Sequence, residues 1–537
     1  MQPVKSVKLS GTGRFSFSIV LEATPQEASS LASILLRHYS KWKNSMTFRF
    51  RSVWLLISVY LIVPFVQADE DDTRFLQEEA TRIVEQQEQN EQQLAAPPGT
   101  LMYQGKNYQV SSTRSSLEPA IYVAINSNQW TLLPDFIHRY QQLPDHRPAL
   151  VAMAESLLAR FHNNYSLALQ RMEDANNLEP EDARILLELA RLWFEDYQEA
   201  RALKGFEKAL NAGLPPQAQM LVQQYRQAID MRDDWHGSAA VGFGYNDNVN
   251  QANGYYTCLS SFAGICLFER KMPEAIESNM MNYELSFQRR FNVSGNHNVE
   301  FKPMSYGSYY STENPSETAT IQDYSTNLAR FQLGYQYLDA RDNISLTPYL
   351  EHSYRNRSSD YLAHGVQTQW QHSLNQQWRI GTSLDAKYYE YTTSGQKTGT
   401  DHELYQWGVT ASYMPNSSTS LYGGLTLGRN KYDVDQASSK SWSVRAGVYH
   451  AFSDPAGLFV NAQAIYRDSE NDAHDFFLGD RRHDKQQVYI LSTGAKRWEF
   501  AGLSPELRIR HSINESNLDW AYGFEQTEVG VLLRRNF

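Results

Sequence analysis

The spacing of apolar and polar positions changes once along the chain. From about residue 117 to 232 the apolar residues recur at helical spacing; from Asp234 onward they alternate with polar ones. In "WRIGTSLDAKYY", Trp378, Ile380, Leu384 and Ala386 share one face, and Arg379, Ser383, Asp385 and Lys387 share the other. "SWSVRAGVYHAF" sets Trp442, Val444, Ala446 and Val448 against Ser443, Arg445 and Gly447 in the same way. A period of two is the signature of a strand with two different faces. About fourteen such segments start near residues 235, 281, 297, 325, 343, 361, 378, 403, 419, 441, 457, 487, 503 and 522. The connections alternate in length. Long ones run near 246–280, 308–324, 355–360, 391–402, 430–440, 467–486 and 511–521; short ones include "NVSGN", "LDARDN" and "MPNSS". Long external loops alternating with tight turns are the pattern of an outer-membrane barrel with an even number of strands.

The helical stretch repeats. Ala168, Met172 and Ala175 return 34 residues later as Ala202, Phe206 and Ala209, and Leu158 returns as Leu192. Pro180 is echoed one residue late by Pro215. Small residues let two helices approach, and a proline ends each pair because it cannot continue a helix. The period resembles tetratricopeptide repeats, with a plain helical bundle as the alternative. "LEPAIYVAINSNQWTLLPDFIHRYQQLP" reads as a degenerate earlier repeat and "PQAQMLVQQYRQAIDMRD" as a terminal helix. Such repeats stack into a concave groove that binds a segment of another protein. Exposed positions expected on the first helix of each pair are Glu155, Arg184, Glu188 and Arg191, which makes them candidates for a polar, salt-sensitive groove.

Upstream, Met46 opens "MTFRFRSVWLLISVYLIVPFVQA". Arg49 and Arg51 precede an apolar run from Val53 to Phe65, and Val66-Gln67-Ala68 fits a cleavage site, so residues 1–68 read as leader and signal peptide. Met46 is the expected start, with cleavage after Ala68. The alternative, a membrane anchor, meets a run shorter than the roughly 20 residues a span needs, with Asp69, Glu70, Asp71 and Asp72 directly behind it. Residues 69–116, rich in Gln and Glu and passing through "AAPPG", read as a linker. The expected domains are therefore a helical one over 117–233 and a barrel over 234–537.

Composition sharpens the barrel reading. The 537 residues carry a net charge of −11, and residues 1–68 hold a basic excess, so the rest is more acidic still. That argues against a nucleic-acid partner. No later window holds 18 consecutive apolar residues, which argues against a helical membrane protein. Yet 33 Tyr, 11 Trp and 24 Phe accompany a mean hydropathy of −0.55. A barrel reconciles these, because only every second residue must face lipid and aromatic girdles mark the interfaces. The last strand, "TEVGVLLRRNF", is expected to close the barrel against "WHGSAAVGFGY", with Val529, Val531 and Leu533 facing lipid and Phe537 ending the strand. Closure leaves no backbone edge in lipid. Cys258 and Cys266 are the two cysteines; in an exported chain they read as one short-loop disulfide, with free thiols as the alternative.

A search for catalytic chemistry finds no HExxH, GxSxG or Walker loop. His474 and His483 share one long loop with Asp475, Asp480 and Asp484, which reads more readily as a solvated loop than as a metal site. "NDNVN" at 246–250 lacks the Gly and distal Glu of a calcium loop and reads as the top of the first strand. No enzyme activity, cofactor or metal is expected.

A signal peptide, a few tetratricopeptide-like repeats, and then a barrel opening with Gly242, Phe243, Gly244, Tyr245, Asn246, Asp247, Asn248, Val249, Asn250 and Gln251 and ending at Phe537 resemble the surface lipoprotein assembly modulator (Slam) family. The terminal Phe537 also resembles a sorting signal for barrel assembly. The resemblance implies an outer-membrane translocator, with its helical domain in the periplasm. It would move client lipoproteins, or secreted haem- or iron-binding proteins, to the cell surface. Outer-membrane lipids, periplasmic chaperones and the barrel assembly machinery are further candidate partners. Alternatives are an exopolysaccharide-export porin with tetratricopeptide repeats, a passive porin and, last, a barrel enzyme.

Overall fold

The computed structural model describes residues 110–262, 265–311, 324–355, 358–453, 455–476 and 478–537. The expected leader and signal, and residues 69–109 of the expected linker, lie outside the described residues. Seven helices come first: α1 Arg114–Asn126, α2 Leu133–Gln141, α3 Pro148–Phe161, α4 Tyr165–Leu178, α5 Ala183–Glu195, α6 Glu199–Asn211 and α7 Pro216–Arg232. α1 thus begins inside the stretch expected to be linker.

Local chemistry sets these boundaries. Pro148 and Pro216 open α3 and α7, where a missing N–H costs nothing. The Asp182 carboxylate accepts from the Arg184 and Ile185 amides at 2.9 and 3.1 Å, capping α5. α3 and α5 are each followed two residues on by a left-handed residue, Asn163 (φ 60°) and Tyr197 (φ 58°), so the 34-residue period extends to the turns. The repeated small residues lie in the core: Ala168, Met172 and Ala175 are fully buried, as are Ala202, Phe206 and Ala209. At Gly205 a Cβ would come within 2.9 Å of the Ala190 Cβ, which is why α5 and α6 can pack so closely.

The strands follow: β1 His236–Asn246, β2 Tyr256–Phe262, β3 Ile265–Lys271, β4 Ser278–Ser294, β5 His297–Tyr310, β6 Thr326–Leu338, β7 Asp342–Arg355 and β8 Ser358–Ser373. Then come β9 Trp378–Tyr391, β10 His402–Asn416, β11 Thr419–Tyr432, β12 Ser439–Ala451, β13 Leu458–Asn471, β14 His483–Ala495, β15 Ser504–Ser516 and β16 Phe524–Asn536. Fourteen of these, β1 and β4 to β16, form a closed antiparallel barrel. β2 and β3 pair only with each other, so the first long connection holds a hairpin where a plain loop was expected. A disulfide joins Cys258 to Cys266 across it. The connection expected near 355–360 is shorter than foreseen, because β7 runs to Arg355 and β8 resumes at Ser358.

Alternation sorts the barrel's faces. Outward, Phe243, Leu333, Leu350 and Leu384 are more than half exposed. Inward, Arg330, Glu351, Arg510 and Gln526 are buried. In β16, Val529 and Val531 are exposed and Leu533 lies on their face, while Gln526, Glu528, Leu532 and Arg534 face the lumen and are buried.

β1 and β16 close the barrel through nine register pairs, from Ser238↔Asn536 to Asn246↔Glu528. The other ladders have eleven to fourteen. Gly237 and Phe537 exchange backbone hydrogen bonds at the foot of this seam, at 2.9 and 3.0 Å. At its head, Asn248 Nδ2 donates to the Glu525 carbonyl, the Thr527 amide donates to Asp247, and Gln526 Nε2 donates to the Asn248 carbonyl. "NDNVN" therefore staples the top of the first strand to the last.

Candidate functional site

The helices lie against the end of the barrel that carries the short turns. There α7 runs into β1, and the turns after β4, β6 and β8 meet the helices. Asn296 donates to the Asp196 carbonyl, the Ala340 amide donates to the Asp196 carboxylate at 3.3 Å, and Asn163 donates to the Leu374 carbonyl at 3.1 Å. Burial pushes the Asp196 carboxyl above its ordinary value, against the hydrogen bonds from Gln198 and Ala340.

Arg290 of β4 is the central contact. It donates to Glu199 at 2.8 Å and to Asp233 at 3.3 Å, and Arg232 meets the same Glu199 oxygen at 3.4 Å. The Arg232 guanidinium stacks over the rings of Phe194 and Tyr197, 3.8 and 4.2 Å from their centroids. The left-handed turn at Tyr197 brings its ring into this stack. Two arginines sharing one buried carboxylate give the joint direction rather than bulk adhesion, since desolvation consumes much of the attraction.

Between helices and barrel mouth lies a cavity of about 1410 Å³. Met231, Tyr225 and Phe194 line its helical side; Arg289, Lys302, Arg341 and Arg379 line the barrel side, together with Glu300 and Asp339. It is a mixed-charge chamber. His236, Gly237, Arg534 and Phe537 also border it, so it reaches the foot of the β1–β16 seam.

Within the barrel, two ionic clusters project inward. Glu351 of β7 accepts from Arg330 of β6 at 2.6 Å and from Lys387 of β9 at 3.0 Å, with the Tyr361 hydroxyl at 3.1 Å. Glu284 of β4 pairs with Arg508 of β15 and with Arg534 of β16, the latter at 2.6 Å; Glu506 of β15 binds both arginines at 2.9 and 3.1 Å. A small void of about 40 Å³ lies against Glu284, Arg508 and Gly530.

The four groove candidates do not form a free polar surface. Glu188 is buried and bridges Arg184 and Arg191 at 2.8 and 2.9 Å. Arg184 also reaches Asn126 of α1, and Arg191 donates to the Tyr225 hydroxyl of α7. Spacing along α5 puts the three on one face, as expected; Glu188 is buried there, while Arg184 and Arg191 stay partly exposed and are tied to α1 and α7 by those single bonds. Burial alone would raise the Glu188 carboxyl; Arg191 and Arg184 outweigh it and hold the group below its ordinary range. Glu155 is half-buried and pairs with Arg171 and Gln141. Sequence reasoning missed Asp196, Glu199, Arg232 and Arg290. The signal it could have used is a run of charged residues just before the first strand, at Arg232, Asp233 and Asp234. At the loop expected to hold His474 and His483, His483 pairs with Asp468 of β13, and Asp484 pairs with Arg482.

Residues 235–537 match the model of the surface lipoprotein assembly modifiers, and residues 104–206 match that of the same proteins' N-terminal tetratricopeptide repeats. The hemophilin secretion modulator of Acinetobacter baumannii is 25% identical over 89% of this chain and 98% of its own length. Surface lipoprotein assembly modifier 2 of Neisseria meningitidis is 24% identical over 75% of this chain and 83% of its own. The surface lipoprotein assembly modifier of Moraxella catarrhalis is 26% identical over 78% and 80%.

Proposed function

Because the chain belongs to the surface lipoprotein assembly modifier family, we propose that it is an outer-membrane translocator that delivers client proteins from the periplasm to the cell surface. The clients are surface lipoproteins or soluble haem- or iron-binding proteins. The family sets aside the exopolysaccharide porin and passive porin readings. The observation that carries the proposal is the chamber of about 1410 Å³ held between a repeat domain and a barrel mouth. A passive pore has no use for a helical domain fixed under its entrance by buried charges. The helices sit in the periplasm, receive the client and hand it to the barrel; no step makes or breaks a covalent bond. Periplasmic chaperones keep the client unfolded before it arrives, and the barrel assembly machinery inserts the barrel.

The test removes residues 114–232 and keeps the leader and barrel. Heat-modifiable migration reports barrel insertion, and antibody labelling of intact cells reports display of an epitope-tagged hemophilin or surface lipoprotein. Display should fall at least tenfold with the barrel inserted. Undiminished display would overturn the helical domain's role, and no display by the intact chain would overturn the proposal.

A further inference from the structure

We propose that the β1–β16 seam is the place where an extended segment of the client pairs with the barrel. The inference rests on the translocator reading above and names its route. Between His236 and Asn246 the lumen face of β1 carries only small residues, Ser238, Ala240, Gly242 and Gly244. Gly244 opposes Gly530, where a Cβ on Gly244 would meet the Val529 carbonyl oxygen at 2.3 Å. Glycine weakens a strand and allows another backbone to approach closely. The nine register pairs are extended at the foot by Gly237 and Phe537 and at the head by the Asp247 amide on the Thr527 carbonyl, so any parting must begin at one of these ends.

The seam is held from inside by a strap that passes over β1 and also ties to it, since Arg534 donates to the Ser238 hydroxyl at 3.1 Å. Ala240 is the register partner of both Glu284 on β4 and Arg534 on β16. Those two side chains bond to each other over it. A larger residue at 240 would stand in the way. An ion pair is a reversible fastening: its partners can be rehydrated from the chamber, which Arg534 itself borders. The chamber therefore leads to the foot of the seam, at Gly237 and Phe537.

The occupant follows from backbone chemistry. Parted strands expose rows of N–H and C=O groups that lipid cannot satisfy. An extended polypeptide satisfies both rows by adding strands, with little regard to its sequence. Elsewhere in the lumen, Glu351 joins β6, β7 and β9 through Arg330 and Lys387 along one stretch of the wall.

The test locks the seam. Val241 and Leu533 are outward register partners, so V241C/L533C forms a disulfide across it without touching the strap or the glycines. L425C/V444C, between β11 and β12, is the control lock. Each is oxidised in cells carrying an epitope-tagged hemophilin or surface lipoprotein, with insertion followed by heat-modifiable migration. The seam lock should cut display at least tenfold, and reductant should restore it; the control lock and reductant-treated wild type should display normally. Equal display from the two oxidised locks would overturn the seam route while leaving the translocator reading intact. Loss of display in both locks would also overturn it, since the effect would not belong to the seam. Absence of display from wild type would instead defeat the translocator reading.

Discussion

Glu188 shows how a residue's neighbours decide what its charge does. Its two arginines lie on its own helix, but their outer partners are Asn126 and Tyr225, 58 and 34 residues from the arginines they meet. Glu188→Gln takes the shared counter-charge from Arg184 and Arg191, both partly exposed, and should destabilise the helical domain by about 1–3 kcal/mol. Urea unfolding followed by the helical circular dichroism signal measures this, with the barrel as an internal reference. The pH dependence has a definite sign. The folded pKa lies below the ordinary 4.5, so the stabilisation is complete above that value and is lost as pH falls through the depressed one. Helical stability should therefore drop below about pH 4.5, and the glutamine variant should drop less steeply. An unchanged slope would mean that other carboxylates dominate.

At the level of elements, the strands were legible and their ornaments were not. Alternation located all fourteen barrel strands, because each strand must show lipid one face and the lumen the other. The β2–β3 hairpin escaped because its described apolar side chains do not face a core that would impose a period: Leu259, Phe262, Ile265 and Leu267 are exposed. The helices were legible from small residues repeating every 34 positions, since packing needs them at each crossing. Two element-scale predictions follow from the seam strands. Val531→Arg, on the outer face, should cost about 2–4 kcal/mol at mid-bilayer and lower the folded band in heat-modifiable migration. Asn248→Ala removes hydrogen bonds to the Glu525 and Ala252 carbonyls and should cost about 1–3 kcal/mol locally. Hydrogen exchange at residues 525–528 should speed up while the foot of β16 stays protected.

For the whole molecule, the site depends on pairs that no local pattern announces. Glu199 and Arg290 are 91 residues apart, and Arg534 and Glu284 are 250 apart. Either residue alone reads as one more polar position on a helix or strand. Arg290→Ala leaves Glu199 and Asp233 without their barrel partner, at a cost of about 2–5 kcal/mol. Spin labels on Lys208 and Asn375 should then report a broader distance distribution between helices and barrel. A distribution as narrow as wild type would show that the Asp196 contacts suffice.

Closure of the barrel by its first and last strands also sets a clock. Ser238 and Arg534, hydrogen-bonded in the finished seam, are 296 residues apart. At about 5–20 residues per second, roughly 15–60 s of synthesis separate them. Throughout that time one edge of β1 has no mate, and a bare strand edge recruits whatever strand it meets. The β1 edge therefore stays open until β16 is made, and faster expression should raise the misassembled fraction before it raises the yield.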